Sequence, residues 1–129
     1  MSARLDHTIV RSHDRFRGAN FLAELIESPE PWKNGPFAAL TLEDGLTLDY
    51  LDVEGEIVSQ HLAFQVPDAL FDTILGKVVE RGLPYWADPR HLEPGRTYLL
   101  NGSRGFYLDD PDGHALEFLT PPGTAADPA

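Results

Sequence analysis

Residues Phe106–Phe118, which read FYLDDPDGHALEF, predict two strands joined by a tight turn. Apolar and aromatic residues run through 104–109 and again through 114–120. Asp-Pro-Asp-Gly lies between them and is typical of turns, since Pro fixes φ and Gly tolerates positive φ. The stretch therefore predicts an antiparallel hairpin with Glu117 near the middle of its second strand.

A second hairpin is predicted in the first half of the chain. Residues 36–42 and 46–53 are apolar-rich, and the Asp44-Gly45 dipeptide in the turn between them is a strong hairpin signal. A strand and an amphipathic helix precede each hairpin, as period-two and period-3.6 patterns indicate. These are a strand at 4–11 and a helix at 14–27, then a strand at 59–66 and a helix that begins at Pro67-Asp68 and stops at Gly82.

The two halves match as an internal repeat. Asp6-His7-Thr8-Ile9-Val10 aligns with Gln60-His61-Leu62-Ala63-Phe64, and Gly45-Leu46-Thr47-Leu48-Asp49 aligns with Gly113-His114-Ala115-Leu116-Glu117. Self-similarity of this kind indicates two copies of one structural unit. The second copy is longer, and its extra residues are predicted to form a loop around 89–103.

Composition limits the class of partner. The formal net charge is −11, whereas nucleic-acid binding depends on clustered Lys and Arg, so no nucleic-acid partner is expected. No run approaches the roughly 20 apolar residues of a membrane span, and the chain is expected to be cytoplasmic with no membrane partner. There are no cysteines, so any bound metal must have nitrogen and oxygen ligands.

Four ligand-capable residues share the strand faces opposite the predicted helices. Strand alternation places His61 with Ala63, Glu117 with Ala115, and Asp49 with Thr47, away from the apolar face that packs on a helix. The repeat gives His7 the same position in the first half. A carboxylate inside a central strand is costly unless it is paired or binds a cation. Two imidazoles and two carboxylates suit Fe, Mn, Ni, Co or Zn.

These residues, with the 106–118 signature, resemble the vicinal oxygen chelate superfamily of glyoxalases, bleomycin-resistance proteins, fosfomycin-resistance enzymes and extradiol dioxygenases. The resemblance covers about residues 4–121. It implies an α+β fold of two βαβββ modules, at about 4–54 and 58–121, whose mixed sheets curl around a central cleft. The expected organisation is a single glyoxalase-like domain at 1–121 followed by a disordered tail at 122–129.

The resemblance implies that His7, His61 and Glu117 are the ligands of a divalent metal ion. Asp49 matches a fourth ligand position that is glutamate in glyoxalase-like members. Because aspartate is one methylene shorter, two modes are open: Asp49 binds the ion directly or through a water molecule. Glu117 is also the expected catalytic base, since a displaced carboxylate ligand recovers its basicity. His114 is expected to face away from the ion, because it lies three positions before Glu117.

Substrate contacts are expected from the second half of the chain. A loop rich in Pro and Gly borders the substrate in this family, and the loop here contains Asn101. Tyr98, Arg104 and Tyr107 are the other candidate substrate-binding residues. The resemblance further implies a homodimer, because family members of this length pair their open sheets.

Three functions fit the sequence. The first is a metal-dependent isomerase or lyase in which the ion stabilises an enolate or oxyanion of a small organic substrate. The second is an extradiol-type dioxygenase with Fe(II) held by His7, His61 and Glu117. The third is a non-catalytic protein that sequesters an antibiotic or another ligand. Direct ligation by Asp49 favours the first function over the second.

Overall fold

The computed structural model describes residues 1–123. It contains two modules, and the first lies in the N-terminal half of the chain. That module contains β1 (His7–Ser12), α1 (Arg15–Leu25), β2 (Trp32–Asn34), β3 (Phe37–Thr41) and β4 (Thr47–Asp52). Its sheet has the order β1-β4-β3-β2. The β1 strand is parallel to β4, and the remaining neighbours are antiparallel.

The second module repeats this order of elements and this pairing. It contains β5 (His61–Gln65), α2 (Asp68–Glu80), β6 (Tyr98–Leu100), β7 (Ser103–Asp109) and β8 (Ala115–Leu119). Its sheet has the order β5-β8-β7-β6, again with the first strand parallel to the last. The predicted α+β class and the two βαβββ modules are confirmed.

The described chain divides into two compact units. The first consists of residues 1–58 together with 110–113, and the second of 59–109 together with 114–123. Asp112 ties the turn at 110–113 into the first unit. Its carboxylate accepts hydrogen bonds from the hydroxyl of Ser12 at 2.6 Å and from the amide of His13 at 2.9 Å.

The predicted single domain at 1–121 stays a prediction, as does the tail at 122–129. Residues 124–129 of that tail lie outside the described part of the chain. Gly123 is described, and its amide donates a hydrogen bond to the carbonyl of Asn101 at 3.0 Å.

The first helix is shorter than the prediction of 14–27. Asp14 is the N-cap and accepts a hydrogen bond from the amide of Arg17 at 3.2 Å. The helix ends at Leu25, because Glu27 takes a left-handed φ of 57° and the amide of Ser28 bonds back to the carbonyl of Ala23. This closure satisfies a carbonyl that the helix end would otherwise leave without a partner.

The predicted loop at 89–103 was partly wrong. It contains β6 and the two-residue turn Asn101-Gly102, in which both residues have positive φ, 54° and 74°. Such a turn matches the natural twist of a hairpin, and Asn-Gly is its preferred sequence. Most of the extra length of the second copy therefore lies between α2 and β6, at residues 81–97.

Each helix covers one face of its own sheet. The apolar residues that the first module buries there include Val10, Ala19, Leu22, Ala23, Leu25, Ala38, Leu40, Leu48 and Tyr50. Those of the second module include Val66, Phe71, Ile74, Val78, Phe106, Leu108, Leu116 and Phe118. Since strand side chains alternate, the predicted ligands project from the opposite face of each sheet.

Neither helix within residues 1–123 has the length and apolar character needed to cross a bilayer.

Candidate metal and substrate site

Glu117 lies at the centre of a polar cluster in the second module. Its position on β8, between β5 and β7, leaves the residue only 9% exposed. The Nε2 atom of His61 lies 2.8 Å from Oε1 of Glu117, and the hydroxyl of Tyr98 donates to Oε2 at 2.5 Å. Both oxygens of this buried carboxylate therefore have hydrogen-bond partners, as a buried charge requires.

Tyr107 completes the cluster. It is the register partner of Glu117, and its ring lies 5.5 Å from the His61 ring, centroid to centroid. Burial, followed by the negative charge of Glu117, raises the pKa of Tyr107 to about 12. Burial and the Glu117 hydrogen bond also raise the pKa of Tyr98. Both phenols are therefore neutral hydrogen-bond donors at physiological pH.

The first module presents an equivalent pair, His7 and Asp49. His7 is the register partner of Thr47, two residues before Asp49, just as His61 is the partner of Ala115, two residues before Glu117. In each module the imidazole and the carboxylate thus come from the parallel pair of strands and share one face. The repeat seen in the sequence is preserved in register.

Asp6 orients His7. The Nδ1 atom of His7 lies 2.7 Å from Oδ2 of Asp6, which leaves Nε2 of His7 available as a ligand atom. A carboxylate on the second nitrogen is the usual support of a metal-binding histidine. The Asp6 hydrogen bond raises the pKa of His7, and the charges of Asp6 and Asp49 act in the same direction. Sequence reasoning missed Asp6, whose only signal is its position next to the histidine.

Asp49 is buried, with 6% of its surface exposed. Its register partners are Ile9 and Ala39, so its same-face neighbours on both adjacent strands are apolar. Oδ1 of Asp49 is buried without a hydrogen-bond partner among the described residues. An unpaired buried carboxylate oxygen of this kind fits a cation ligand better than a structural role.

The donors present fit a divalent ion in two respects. Two ligand atoms at right angles, each about 2.0–2.2 Å from an ion, stand about 3 Å apart, and the 2.8 Å between His61 Nε2 and Glu117 Oε1 is close to this. Oδ1 of Asp49 supplies the second point of agreement. No group of three or more His, Asp or Glu side chains within residues 1–123 is gathered as a ready metal site. The full ligand set therefore stays a prediction.

Arg104 and Asn101 lie apart from this cluster. The Arg104 guanidinium pairs with Asp68 at 2.6 Å and Asp72 at 3.0 Å, both on α2, and it lies over the Phe71 ring. It thus projects from the helix face of the sheet, opposite Glu117. Asn101 is exposed in the β6–β7 turn. Of the four candidate substrate residues, only Tyr98 and Tyr107 adjoin Glu117.

His114 is fully buried, and its Nδ1 atom accepts a hydrogen bond from the amide of Gln60 at 3.0 Å. Because its ring occupies the interior, its role is structural, in line with the expectation from strand alternation.

Trp86 is a neighbour of the site that sequence reasoning did not select. Its backbone pairs with Tyr107 through two hydrogen bonds of 2.9 and 2.8 Å. Directly opposed residues of a β-bridge project from the same face, so the indole lies on the side of Glu117. The ring of His91 stacks on Trp86, with centroids 3.6 Å apart and an interplanar angle of 11°. The loop before β6 thus adds aromatic surface beside Tyr107.

No protein-family model matches the chain. The solved structure of oxidase ChaP-H1 is 44% identical, with a TM-score of 0.91, over 94% of this chain and 98% of its own. Oxidase ChaP-H2 is 45% identical, with a TM-score of 0.91, over 98% of this chain and 100% of its own. A glyoxalase/dioxygenase from Nostoc punctiforme, 18% identical over 92% of this chain and 91% of its own with a TM-score of 0.70, shares the fold.

Proposed function

The chain belongs to the vicinal oxygen chelate superfamily, and on that basis we propose that it is a metal-dependent oxidase of a small organic substrate. The observation that carries the proposal is the 2.8 Å approach of His61 Nε2 to Glu117 Oε1. Near full-length similarity to two oxidases, at 44% and 45% identity, favours oxygen chemistry over the other reactions of the superfamily. An oxidase is not one of the three functions predicted from sequence, but it shares the use of O₂ with the second of them, the extradiol-type dioxygenase.

The residues proposed to hold the ion are His61 and Glu117 of the second module with His7 of the first. A divalent ion held by these two imidazoles and one carboxylate would supply Lewis acidity toward a substrate with two adjacent oxygens and would allow O₂ to react. The nature of the ion, among Fe, Mn, Ni, Co and Zn, follows from the reaction, and oxygen chemistry favours Fe(II).

The protein's own groups prepare this site. Asp6 holds the His7 ring so that Nε2 faces outward, and Tyr98 holds one oxygen of Glu117. Tyr107, whose phenol is protonated, lies beside the carboxylate and can donate a hydrogen bond. The two phenols stabilise negative charge on the carboxylate and on a nearby substrate oxygen.

We propose that the active form is a homodimer. Each four-stranded sheet ends in a short outer strand, β2 or β6, and an uncovered sheet edge invites pairing with another chain. The proposed arrangement allows the two ligand pairs of one site to come from the same chain or from partner subunits.

The test begins with metal analysis of protein purified without added metal. Oxygen uptake is then followed with catechols and hydroquinones, using Fe(II)-loaded protein and Glu117→Gln as control. An oxidase transfers two electrons and two protons from the substrate to O₂ and gives H₂O₂, so catalase returns half of the oxygen. A dioxygenase places both oxygen atoms in the product and releases no peroxide. Protein that binds no divalent ion would overturn the proposal.

Asp49 supports a second candidate, an isomerase or lyase. If the buried Oδ1 of Asp49 ligates the ion directly, four protein ligands leave two positions, enough for a chelating carbonyl substrate. Turnover of such a substrate under argon, at the rate seen in air, would establish this reaction in place of the oxidase.

A further inference from the structure

Tyr98 reaches Glu117 across an intervening strand. Tyr98 is on β6, the outer strand of its sheet, whereas Glu117 is on β8, with β7 between them. The Tyr98 hydroxyl nevertheless lies 2.5 Å from Oε2 of Glu117. Its ring must therefore lie flat along the sheet rather than project from it.

Gly105 provides the path for this ring. Gly105 on β7 is the register partner of Tyr98, and a Cβ at Gly105 would collide with the Tyr98 ring and its hydroxyl. The φ of Gly105 is not positive, so the backbone does not require glycine there. The space occupied by Tyr98 is thus the reason for the glycine.

The Tyr98 hydrogen bond restricts the orientation of the Glu117 carboxylate. With Oε2 held by Tyr98, Oε1 is the oxygen that faces the nitrogen of His61. A carboxylate held at one oxygen cannot rotate freely between one-oxygen and two-oxygen ligation. We infer that Tyr98 is a positioning residue that presents Glu117 to the ion through Oε1 alone, an inference that rests on the function proposed above. Gly105 makes this possible because it leaves space for the Tyr98 ring.

A purely structural role for Tyr98 predicts something different. If the phenol serves only to satisfy a buried carboxylate, its loss lowers the stability of the metal-free protein and leaves ion binding unchanged. If it positions Glu117, its loss alters the affinity and coordination of the ion. The two roles are separated by measurements on the metal itself.

The experiment compares Tyr98→Phe and Gly105→Ala with the wild type, using Co(II) as the probe. Removal of a group that orients a ligand typically lowers metal affinity by about 10–100-fold, and we expect that loss in both variants by chelator competition. We also expect both to change the visible absorption spectrum of bound Co(II). Tyr85→Phe is the matched control, because its hydroxyl bonds the Gly95 carbonyl at 3.3 Å instead.

The double variant tests the link between the two residues. If Gly105 acts only through Tyr98, Tyr98→Phe with Gly105→Ala binds Co(II) no more weakly than the weaker single variant. Circular dichroism checks that each variant folds, and Tyr98→Phe decides alone if Gly105→Ala does not fold. Wild-type affinity and spectrum in Tyr98→Phe would overturn the inference and leave the proposed function standing. Absence of Co(II) binding by the wild type would instead overturn both.

Discussion

Asp49 is the register partner of Ile9 in the parallel pairing of β1 with β4, so a carboxylate lies beside an apolar side chain on its sheet. It is 6% exposed, and its Oδ1 atom has no hydrogen-bond partner within the described residues. The folding free energy gains little from such a group, because the cost of removing a charge from water is not recovered. Unfavourable placement of this kind is typical of functional residues.

We expect Asp49→Asn to separate stability from metal binding. Loss of an uncompensated buried charge should leave the unfolding free energy of the metal-free protein unchanged or raise it by about 1 kcal/mol. Co(II) affinity should fall, because the amide is a weaker ligand. Urea denaturation and chelator competition measure the two quantities. A variant that is destabilised yet binds Co(II) as the wild type does would show that Asp49 has a structural role.

The effect of replacing each histidine on metal content should depend on the sheet face from which its ring projects. We expect His7→Ala and His61→Ala to lose most of their bound metal, since both rings project from the face opposite the helices. His114→Ala should keep its metal but lose about 1–3 kcal/mol of stability, because the partly buried Gln60 amide would lose its acceptor. Metal content per folded protein, with thermal unfolding in parallel, measures both effects. Equal metal loss in all three variants would contradict this division.

Alternation along strands made the faces of His61 and Glu117 predictable from sequence, because one buried face fixes the other. The same rule could have corrected Arg104. It lies three residues before Tyr107 and therefore faces the helix, by the argument already used for His114. The Tyr98 contact was not predictable in this way. It crosses a strand, and β6 itself was hidden in a predicted loop despite the Asn101-Gly102 signal.

Arg104 is expected to matter for stability and not for ion binding. Its guanidinium bridges Asp68 and Asp72 and covers the Phe71 ring at 4.4 Å, with 28% of the side chain exposed. Arg104→Met should lower the unfolding free energy by about 1–2 kcal/mol, the sum expected for a partly exposed ion pair and a cation–π contact. Thermal unfolding measures the loss, and oxygen uptake should be retained. A variant that loses turnover but keeps its stability would instead support the predicted substrate-binding role of Arg104.

A dimer should be the main species in solution. Trp32 on the outer strand β2 is 50% exposed, and Leu100 on the outer strand β6 is 63% exposed. Pairing of outer strands would bury such residues together with the free edges. Sedimentation velocity at micromolar concentration should give the mass of two chains. A single species with the mass of one chain would refute the dimer and with it any site shared between subunits.

Asp88 organises the loop that carries Trp86. Its carboxylate accepts hydrogen bonds from the amides of Arg90 at 3.1 Å, Leu92 at 2.9 Å and Glu93 at 2.8 Å. Desolvation acts to raise the pKa of Asp88, but these three hydrogen bonds outweigh it and hold the pKa below its usual value. The ionised form is therefore the one that the folded loop favours.

The sign of the pH dependence follows from that lowered pKa. Stabilisation of the loop is complete above the pKa that Asp88 has when unfolded, and it is lost as the pH falls through the lower folded-state pKa. We expect the Trp86 and His91 stack to open in that acid range. Trp86 fluorescence in a Trp32→Phe background reports the opening. The Asp88→Asn variant, which lacks the titrating group, should show a loosened loop at neutral pH and no acid transition there. An acid transition of the same midpoint in Asp88→Asn would assign the opening to another group.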